Sequence, residues 1–339
     1  MSVRQIYNDS IVIDLVAPLL SAKRAETIDR IEDFRSGGVT AAGATVAVEE
    51  DFAETIDNLT QWHAWFDAYP DRFRLVRHIS DIVDCKAKGL TGIILHFQNS
   101  VAFGLDLRRL LIFYELGVRV IQLTYNRRNF VGDGCTVPED AGLSDFGRRA
   151  IREMDRLGIV VDLSHTGYRT TMEAIELSNH PVIFSHSNIA EVYPSKRNIR
   201  REQVRAVAAR GGVIGLNGCE YFIRAGRQST VDDLIAHADF IADEVGVDHI
   251  SVGLDHFWGH TPHLPEAEQH RLYSDQVRSG RFDPETWPAP PWYQANGIET
   301  PQKTSALADS LAQHGYVDDD IQKILGGNLM RVFEAVWKN

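Results

Sequence analysis

The amino-acid sequence predicts an α/β fold of the (β/α)8 TIM-barrel type, formed as a single domain over residues 1–339. Short apolar runs rich in β-branched residues recur along the chain, as expected of parallel strands buried on both faces. Segments with helical spacing separate these runs, and strand and helix alternate about eight times without a linker or a shift in composition. The length of 339 residues also lies within the ~200 to 400 that single barrels span.

The predicted strands are short and almost continuous in their apolarity. They are the runs at 11–16, 38–48, 74–79, 92–97, 118–124, 158–164, 181–186, 211–217 and 249–255. A doubly wound open sheet is the competing architecture for such a pattern. No Gly-rich phosphate-binding sequence follows the first run, which favours the barrel.

Two of the segments between these runs carry clear helix signals. One opens at Ser144-Asp145 and keeps its apolar residues on one face until Gly158 stops it. The other spans roughly 231–245 and also has one apolar face. Both follow the βα rhythm that a barrel requires.

The stretch from about 257 to 300 interrupts this rhythm. It contains Trp258, Trp287, Trp292 and the proline-rich sequence PAPPW, together with several charges. A segment of this length inside a compact domain is usually a functional loop or lid. An ordered insertion that packs against a neighbouring subunit is the alternative. The tryptophans are compatible with an aromatic wall, including cation–π recognition of an ammonium group, and equally with core or interface packing.

The composition narrows the classes of partner. The formal net charge of −12 repels phosphate backbones and anionic lipid, which disfavours nucleic acid and membrane surfaces. The first ten residues hold no apolar signal region, and no apolar run approaches the ~20 residues that span a bilayer. Cys85, Cys135 and Cys219 are odd in number and far apart, which indicates free thiols in a reducing compartment. We therefore expect a cytoplasmic enzyme that acts on a small molecule.

Polar side chains stand at or just past the carboxyl ends of the predicted strands. They are Asp14, His96, Gln98, Tyr125, Asn126, His165, His186, Asn217 and Asp255. In a parallel barrel these ends converge on the face where barrel enzymes build their sites. His165 and His186 stand in matching Ser-His pairs on successive strands, and Asp255 follows the last strand. This combination predicts a metal or acid–base site.

The chemistry of these residue types agrees with that prediction. Imidazole nitrogens bind zinc, and a bound zinc ion lowers the pKa of its water toward ~7. A carboxylate such as Asp255 can then shuttle the proton to a leaving group. The chain contains no GxSxG, HExxH or P-loop sequence, so the corresponding enzyme classes have no support.

At these residues the sequence resembles the renal (membrane) dipeptidase family of the amidohydrolase superfamily. The resemblance runs from about residue 90 to the C-terminus. It is densest in the segments GVRVIQLTYN, GLSDFGRRAIREMDRLGIVVDLSH, HPVIFSHSN, SKRN, VGLD and ILGGNLMRVFEAV. The family implies a distorted (β/α)8 barrel, two zinc ions bridged by a carboxylate, and hydrolysis of dipeptides or related amides. Members often dimerise, so the resemblance also implies a homodimer.

The resemblance assigns roles to individual positions. His165 and His186 match the histidines that hold the second metal, and Arg197 matches the arginine that clamps the substrate carboxylate. Asp255 matches the aspartate that serves the first metal and proton transfer.

Four positions depart from the family's pattern. Val16 and Pro18 stand where a His-x-Asp pair binds the first metal, Gln98 replaces the bridging glutamate, and Tyr125 replaces a histidine that polarises the scissile carbonyl. A carboxamide offers one neutral oxygen and bridges two cations poorly. We therefore expect one zinc ion rather than two, and little ordinary dipeptidase activity. A bacterial branch of the family shares the FQN and LTYN sequences, so these changes resemble a coherent variant.

Three hypotheses follow from the sequence. In the first, a single-metal hydrolase holds zinc with His165, His186 and either Gln98 or water. Asp255 is then the catalytic base and acid and Tyr125 a donor to the developing oxyanion. Arg197, Tyr125 and Asn126 contact the substrate. In the second hypothesis, the same scaffold catalyses a C–N or C–C lyase reaction or another hydrolysis. In the third, the chain is a metal-free binding protein or pseudoenzyme.

Overall fold

A computed structural model describes residues 1–224 and 228–338. Its strands are β1 Ile13–Ala17, β2 Ala41–Ala47, β3 Phe73–Leu75, β4 Thr91–Phe97, β5 Val118–Gln122, β6 Val160–Asp162, β7 Ile183–Phe184, β8 Val213–Leu216 and β9 Ile250–Val252. Eight of them form one parallel sheet in the order β1-β2-β4-β5-β6-β7-β8-β9. Beyond β9, the Asp255 N–H donates to the Val16 carbonyl oxygen of β1 at 3.0 Å, which nearly closes the barrel. The predicted distorted (β/α)8 barrel is confirmed.

A helix lies between each pair of successive strands, as predicted, and further helices precede β1 and follow β9. The helices are α1 Val3–Asp9, α2 Thr27–Ser36, α3 Phe52–Ala68, α4 Ile79–Lys88, α5 Arg108–Glu115, α6 Asp145–Leu157, α7 Tyr168–Leu177, α8 Arg201–Ala209, α9 Val231–Val245, α10 Glu266–Arg278, α11 Ala306–Gln313, α12 Asp318–Gln322 and α13 Asn328–Val336. Helix α6 begins where Ser144 Oγ accepts the Gly147 N–H, and it ends at Gly158, which has φ 85°. Both helices predicted at 144–158 and 231–245 are confirmed.

The strand predicted at 74–79 is wrong in most of its length. Only Phe73–Leu75 is extended, and β3 pairs with the start of β4 outside the path of the barrel. Asp81 Oδ2 accepts the backbone N–H groups of Arg77 and His78 at 2.9 Å each, and this local cap starts α4 at Ile79. The apolar run alone did not reveal this helix start.

The inward faces of the strands change from apolar to polar along their length. Near the strand beginnings, buried residues from seven strands form one cluster with α13: Ile13, Ala41, Ile94, Val120, Val160, Ile183 and Val213 pack with Leu329, Val332 and Phe333. The C-terminal helix therefore seals the amino-terminal end of the barrel. Because alternate residues of a strand share a face, Ile94 is followed on its face by His96, and Val160 by Asp162. This alternation carries the polar residues toward the carboxyl end.

The insertion, residues 257–300, is more regular than the long loop predicted for it. It contains the 13-residue helix α10, and its Phe282, Trp287 and Trp292 pack with Cys219 and Phe222 in a buried cluster. This packing places the insertion against the loop that follows β8, beside the carboxyl end of the barrel.

Among residues 1–224 and 228–338, no helix has the length and apolarity needed to cross a bilayer.

Candidate active site

A cavity of about 570 Å³ opens at the carboxyl end of the barrel. The barrel contributes Gln98, Tyr125, His165 and Asp255 to its lining. Four aromatic side chains of the insertion form part of the remaining wall: Phe257, Trp258, Phe282 and Trp287. The cavity therefore brings together four of the predicted site residues.

His165 and His186 approach each other through their ε nitrogens. The two Nε2 atoms lie 2.9 Å apart, and both rings are almost completely buried. The histidines follow β6 and β7, which are neighbours in the barrel. The predicted pairing of the two imidazoles is therefore present in the structure.

The tautomer of His165 follows from Asn126. His165 Nδ1 lies 2.6 Å from Asn126 Oδ1, while Asn126 Nδ2 donates to the Arg281 carbonyl oxygen at 3.0 Å. The second bond fixes the orientation of the amide, so the atom facing the ring is an acceptor. His165 Nδ1 consequently carries a proton, and its Nε2 presents a lone pair.

The tautomer of His186 follows from a buried network beneath it. Its Nδ1 lies 2.7 Å from Ser185 Oγ, and Ser185 Oγ donates its proton to Asp162 Oδ2 at 2.5 Å. The serine oxygen can then only accept from the ring, so His186 Nδ1 carries a proton and Nε2 presents a lone pair. Burial alone would raise the pKa of Asp162, but hydrogen bonds from His96 and Ser185 outweigh it and hold this pKa well below its usual range.

Two lone pairs therefore face each other across 2.9 Å. Such an arrangement repels unless a proton or a metal ion lies between the two Nε2 atoms. Burial, with the nearby positive charge of Arg197, lowers the pKa of both His165 and His186 well below its ordinary value. Neutral imidazoles with oriented Nδ1–H groups are the form in which histidine binds metal ions.

The described residues offer few ligands for a metal ion at this site. No group of three or more His, Cys, Asp and Glu side chains within residues 1–224 and 228–338 is arranged to hold a metal. Gln98 Nε2 donates to Thr45 Oγ1 at 2.9 Å, so its Oε1 remains as a neutral oxygen ligand. Val16 is fully buried and Pro18 lines the cavity wall, and neither side chain can ligate. The residues present therefore suit two imidazoles completed by Gln98 or water.

Asp255 and Tyr125 border the same cavity. Asp255 Oδ2 accepts from Asn217 Nδ2 at 3.2 Å and from the Cys219 thiol at 3.5 Å. Burial raises the pKa of Asp255, and the positive charge of Arg197 partly offsets this effect. The Tyr125 ring stacks on His165 with centroids 4.2 Å apart. Burial and the charge of Asp255 raise the pKa of Tyr125 well above its usual value, so the phenol remains a proton donor.

Three of these residues share an uncommon backbone conformation. Asn126, His165 and Asp255 have φ of 62°, 60° and 60°, and they are the non-glycine residues with positive φ in the described part of the chain. This left-handed region is costly for most residues and least so for Asn, Asp and His. Strained conformations of this kind cluster at functional sites, where they aim side chains.

Arg197 lies apart from the main cavity. Its Nη2 donates to the His186 carbonyl oxygen at 2.7 Å and its Nη1 to Ser187 Oγ at 3.2 Å, while its Nε has no hydrogen-bond partner among the described residues. It lines a second cavity of about 150 Å³, which His165 also borders. The predicted substrate contacts of Arg197 and Asn126 stay predictions, and the amide of Asn126 is already occupied by protein groups.

Sequence reasoning missed the residues that orient the two histidines. Asp162 shares a strand face with Val160, so alternation could have placed it inside the barrel. Trp287 was assigned no contact, yet its ring lies nearly parallel to His165, at an angle of 12° with centroids 6.2 Å apart. No local signal marks that contact, because the two residues are far apart in the chain.

Fold and site together define a (β/α)8 barrel with a buried imidazole pair at the mouth of its catalytic face. The sequence profile of the family described as Membrane dipeptidase (Peptidase family M19) matches residues 3–274. The chain therefore belongs to the membrane dipeptidase family, which is a family of hydrolases.

Relatives with names or known structures agree with this membership. Dipeptidase tcpJ from Claviceps purpurea is 26% identical over 273 residues, which cover 80% of this chain and 57% of that protein. Dipeptidase verJ from Clonostachys rogersoniana is 27% identical over 294 residues, which cover 85% of this chain and 66% of that protein. The chain thus spans less than two thirds of the length of these curated relatives. The crystal structure of an amidohydrolase from Pseudomonas aeruginosa is 33% identical, has a TM-score of 0.89, and matches over 99% of both chains.

Proposed function

We propose that this chain is a metal-dependent amidohydrolase that uses one zinc-like ion to hydrolyse a small, carboxylate-bearing amide or peptide-like substrate. The observation that carries the proposal is the 2.9 Å separation of the two Nε2 atoms, together with the acceptors that face Nδ1 of each ring, Asn126 Oδ1 and Ser185 Oγ. Family membership and the names of the dipeptidase relatives support the reaction class. The replacement of the usual first-metal ligands by Val16 and Pro18 supports one ion rather than two.

His165 and His186 would hold the ion, with Gln98 Oε1 or water completing its ligands. When bound, such an ion supplies hydroxide at neutral pH and polarises a carbonyl group. Asp255 is proposed to accept the proton of the attacking water and to pass it to the leaving amine. Tyr125, which keeps its proton, is proposed to donate to the oxygen on which negative charge develops.

The cavity supports a substrate larger than the smallest dipeptides. Its volume of about 570 Å³ is typical of small-molecule sites, and aromatic residues of the insertion cover one side of it. Arg197 is proposed as the carboxylate anchor, because its buried guanidinium retains an unpartnered Nε among the described residues. A substrate that extends past His165 into the small cavity would reach it.

Two further proposals concern the cellular location and the oligomeric state of the protein. Cys85, Cys135 and Cys219 are free thiols, and this supports a cytoplasmic location. The homodimer expected from the family resemblance is also kept as a proposal.

Elemental analysis of protein purified without added metal or chelator tests the metal site. We expect about one metal ion per chain, and we expect it to be lost in the double variant His165→Ala/His186→Ala. The matched control is His270→Ala/His314→Ala, which removes two histidines from the surface, with side-chain exposures of 52% and 29%. Metal-free wild-type protein, or equal metal in the two double variants, would refute a metal held by this pair.

A substrate panel then tests the reaction class. Dipeptides, N-acyl amino acids and lactones are compared at equal concentration with the wild type and the His165→Ala/His186→Ala variant. We expect turnover of an amide that carries a free carboxylate, lost in the variant, and weak turnover of ordinary dipeptides. Dipeptide hydrolysis with kcat on the order of 10 per second would contradict that weak activity. Unchanged turnover in the variant would contradict the proposed site.

A further inference from the structure

We propose that Asn126 is a positioning residue that couples the placement of the insertion to the orientation of His165. Its side-chain amide joins the two directly: Oδ1 accepts from His165 Nδ1 at 2.6 Å, and Nδ2 donates to the Arg281 carbonyl oxygen at 3.0 Å. Arg281 belongs to the insertion, 155 residues further along the chain. One planar amide therefore bonds to both the insertion and the His165 ring, so a shift of the insertion changes the orientation of the ring's partner.

The side chain and the backbone of Asn126 are both held in place by the surrounding structure. Asn126 is completely buried and its backbone has φ 62°, which asparagine tolerates better than most residues. Its own carbonyl oxygen accepts from the Thr136 N–H at 3.0 Å and from Thr136 Oγ1 at 2.7 Å. Because the backbone is held in this way, movement of Arg281 is transmitted to the amide rather than absorbed by the loop.

The insertion also touches His165 and its surroundings at other points. The Trp287 ring lies nearly parallel to His165. Arg127 Nη1 donates to the Ser279 carbonyl oxygen at 2.9 Å, and Lys196 pairs with Asp283 and Glu285 at 2.8 and 2.7 Å. The Arg127 and Lys196 contacts are exposed and reach neither histidine ring, so they hold the insertion without bearing on the imidazoles. The Asn126 amide combines both roles, because it bonds to the Arg281 carbonyl oxygen of the insertion and to His165 Nδ1.

The consequence is a coupling between two equilibria. When the insertion is in place, the amide is fixed with its oxygen toward His165, which keeps the proton on Nδ1 and the lone pair on Nε2. When the insertion moves away, Nδ2 loses its partner and the amide is free to rotate. By linkage, a cation held at Nε2 must stabilise the closed insertion by the same factor by which closure favours the cation.

Two substitutions at Asn126 distinguish its bond to His165 from its bond to the Arg281 carbonyl oxygen. Asn126→Asp keeps an acceptor for His165 Nδ1–H but places an oxygen against the Arg281 carbonyl, so the bond to the insertion is cut. Asn126→Gly removes both bonds and suits the positive φ. Arg127→Ala is the matched control, because it removes a neighbouring bond to the insertion at Ser279 and leaves His165 untouched.

Hydrogen–deuterium exchange of residues 276–287, measured with and without zinc, tests the coupling. We expect zinc to slow exchange about fivefold or more in the wild type and in Arg127→Ala, and not in Asn126→Asp, although that variant still binds zinc by titration. We expect Asn126→Gly to bind zinc about 10- to 100-fold more weakly. Equal slowing by zinc in Asn126→Asp and the wild type would overturn the coupling, as would wild-type zinc affinity in Asn126→Gly.

The measurements with zinc rest on the proposed function. Measurements without metal test the positioning role independently of it. In the absence of metal, Asn126→Asp must speed exchange at residues 276–287 while nitrogen-15 shifts show His165 still protonated at Nδ1. Asn126→Gly must lose that tautomer preference. If the wild type binds no zinc but the two variants show these changes, the metal site is refuted and the positioning role is supported. If exchange at residues 276–287 and the tautomer of His165 are unchanged in both variants, the positioning role is refuted.

Discussion

The Ser185 hydroxyl donates to Asp162 Oδ2 at 2.5 Å and thereby leaves its oxygen free only to accept from His186 Nδ1. A chain of one carboxylate and one hydroxyl thus fixes the ring of a proposed metal ligand. Partners of this type, one bond removed from the ligand atom, commonly change metal affinity by 10- to 100-fold when they are lost.

Ser185→Ala is therefore expected to weaken zinc binding by about 10- to 100-fold, because His186 loses the acceptor that selects its tautomer. Competition with a chromophoric chelator measures the affinity. Ser187→Ala is the control, since Ser187 contacts Arg197 and does not bond to a histidine ring in the structure. Equal affinities in the two variants would show that the serine does not orient His186.

Tyr125→Phe is expected to lower kcat/KM about 100- to 1,000-fold, as the loss of one donor to a developing oxyanion does in other enzymes. The phenylalanine ring retains the stacking on His165, so the midpoint of thermal unfolding and the metal content should stay at wild-type values. Steady-state kinetics on the best amide of the panel provides the measurement. Activity within threefold of the wild type would remove Tyr125 from the catalytic residues.

Gln98→Glu places a carboxylate at the position that the family resemblance matches with a bridging glutamate. We expect tighter binding of one zinc ion, since an anionic oxygen replaces a neutral one, but no second ion, because Val16 and Pro18 supply no ligands. Elemental analysis at saturating zinc gives the stoichiometry. Two ions per chain would show that the single-metal interpretation underestimates the donors at this mouth.

Asp14 gives the stability of the protein a distinct pH dependence. Burial, with the nearby charge of Asp255 adding to it, raises the pKa of Asp14 from 3.8 to about 7. Between these values the folded state holds a proton that the unfolded state has released. The free energy of unfolding therefore falls as pH rises through this window, by at most about 1.4 kcal/mol per pH unit.

Asp14→Asn removes this titration while keeping an acceptor for the Leu254 N–H, which Asp14 Oδ1 accepts at 2.8 Å. We expect the variant to match the wild type near pH 4 and to exceed its stability near pH 8. Urea unfolding at several pH values tests this expectation. A stability difference between the two proteins that does not change from pH 4 to 8 would contradict it.

The recurrence of short apolar runs between helical segments made much of the barrel predictable, and the polar residues at the ends of these runs made part of the site predictable. His165 and His186 were identified from Ser-His pairs after two apolar runs, and the structure places their ε nitrogens together. Strand residues have a fixed period of two, so burial of one residue fixes the side of the next. The same rule could have placed Asp162 inside the barrel.

Residues beyond the strand ends escape that rule. Asn126, His165 and Asp255 have positive φ, and no period predicts where a left-handed residue points its side chain. The bond from Asn126 to the Arg281 carbonyl oxygen joins positions 155 residues apart, and backbone carbonyl groups carry no sequence signal. Arg197 also lies beyond the strands, and its bonds to the His186 carbonyl oxygen and to Ser187 direct it to the smaller cavity, which the sequence did not reveal. Local composition also failed to anticipate helix α10 in the insertion.

Helix α13 closes the amino-terminal end of the barrel in the described part of the chain, and the main cavity opens at the carboxyl end. A substrate that enters the main cavity and the product that leaves it pass the aromatic residues that line this cavity. A slowly departing product would therefore compete directly with incoming substrate for this cavity, and its release would set an upper bound on turnover.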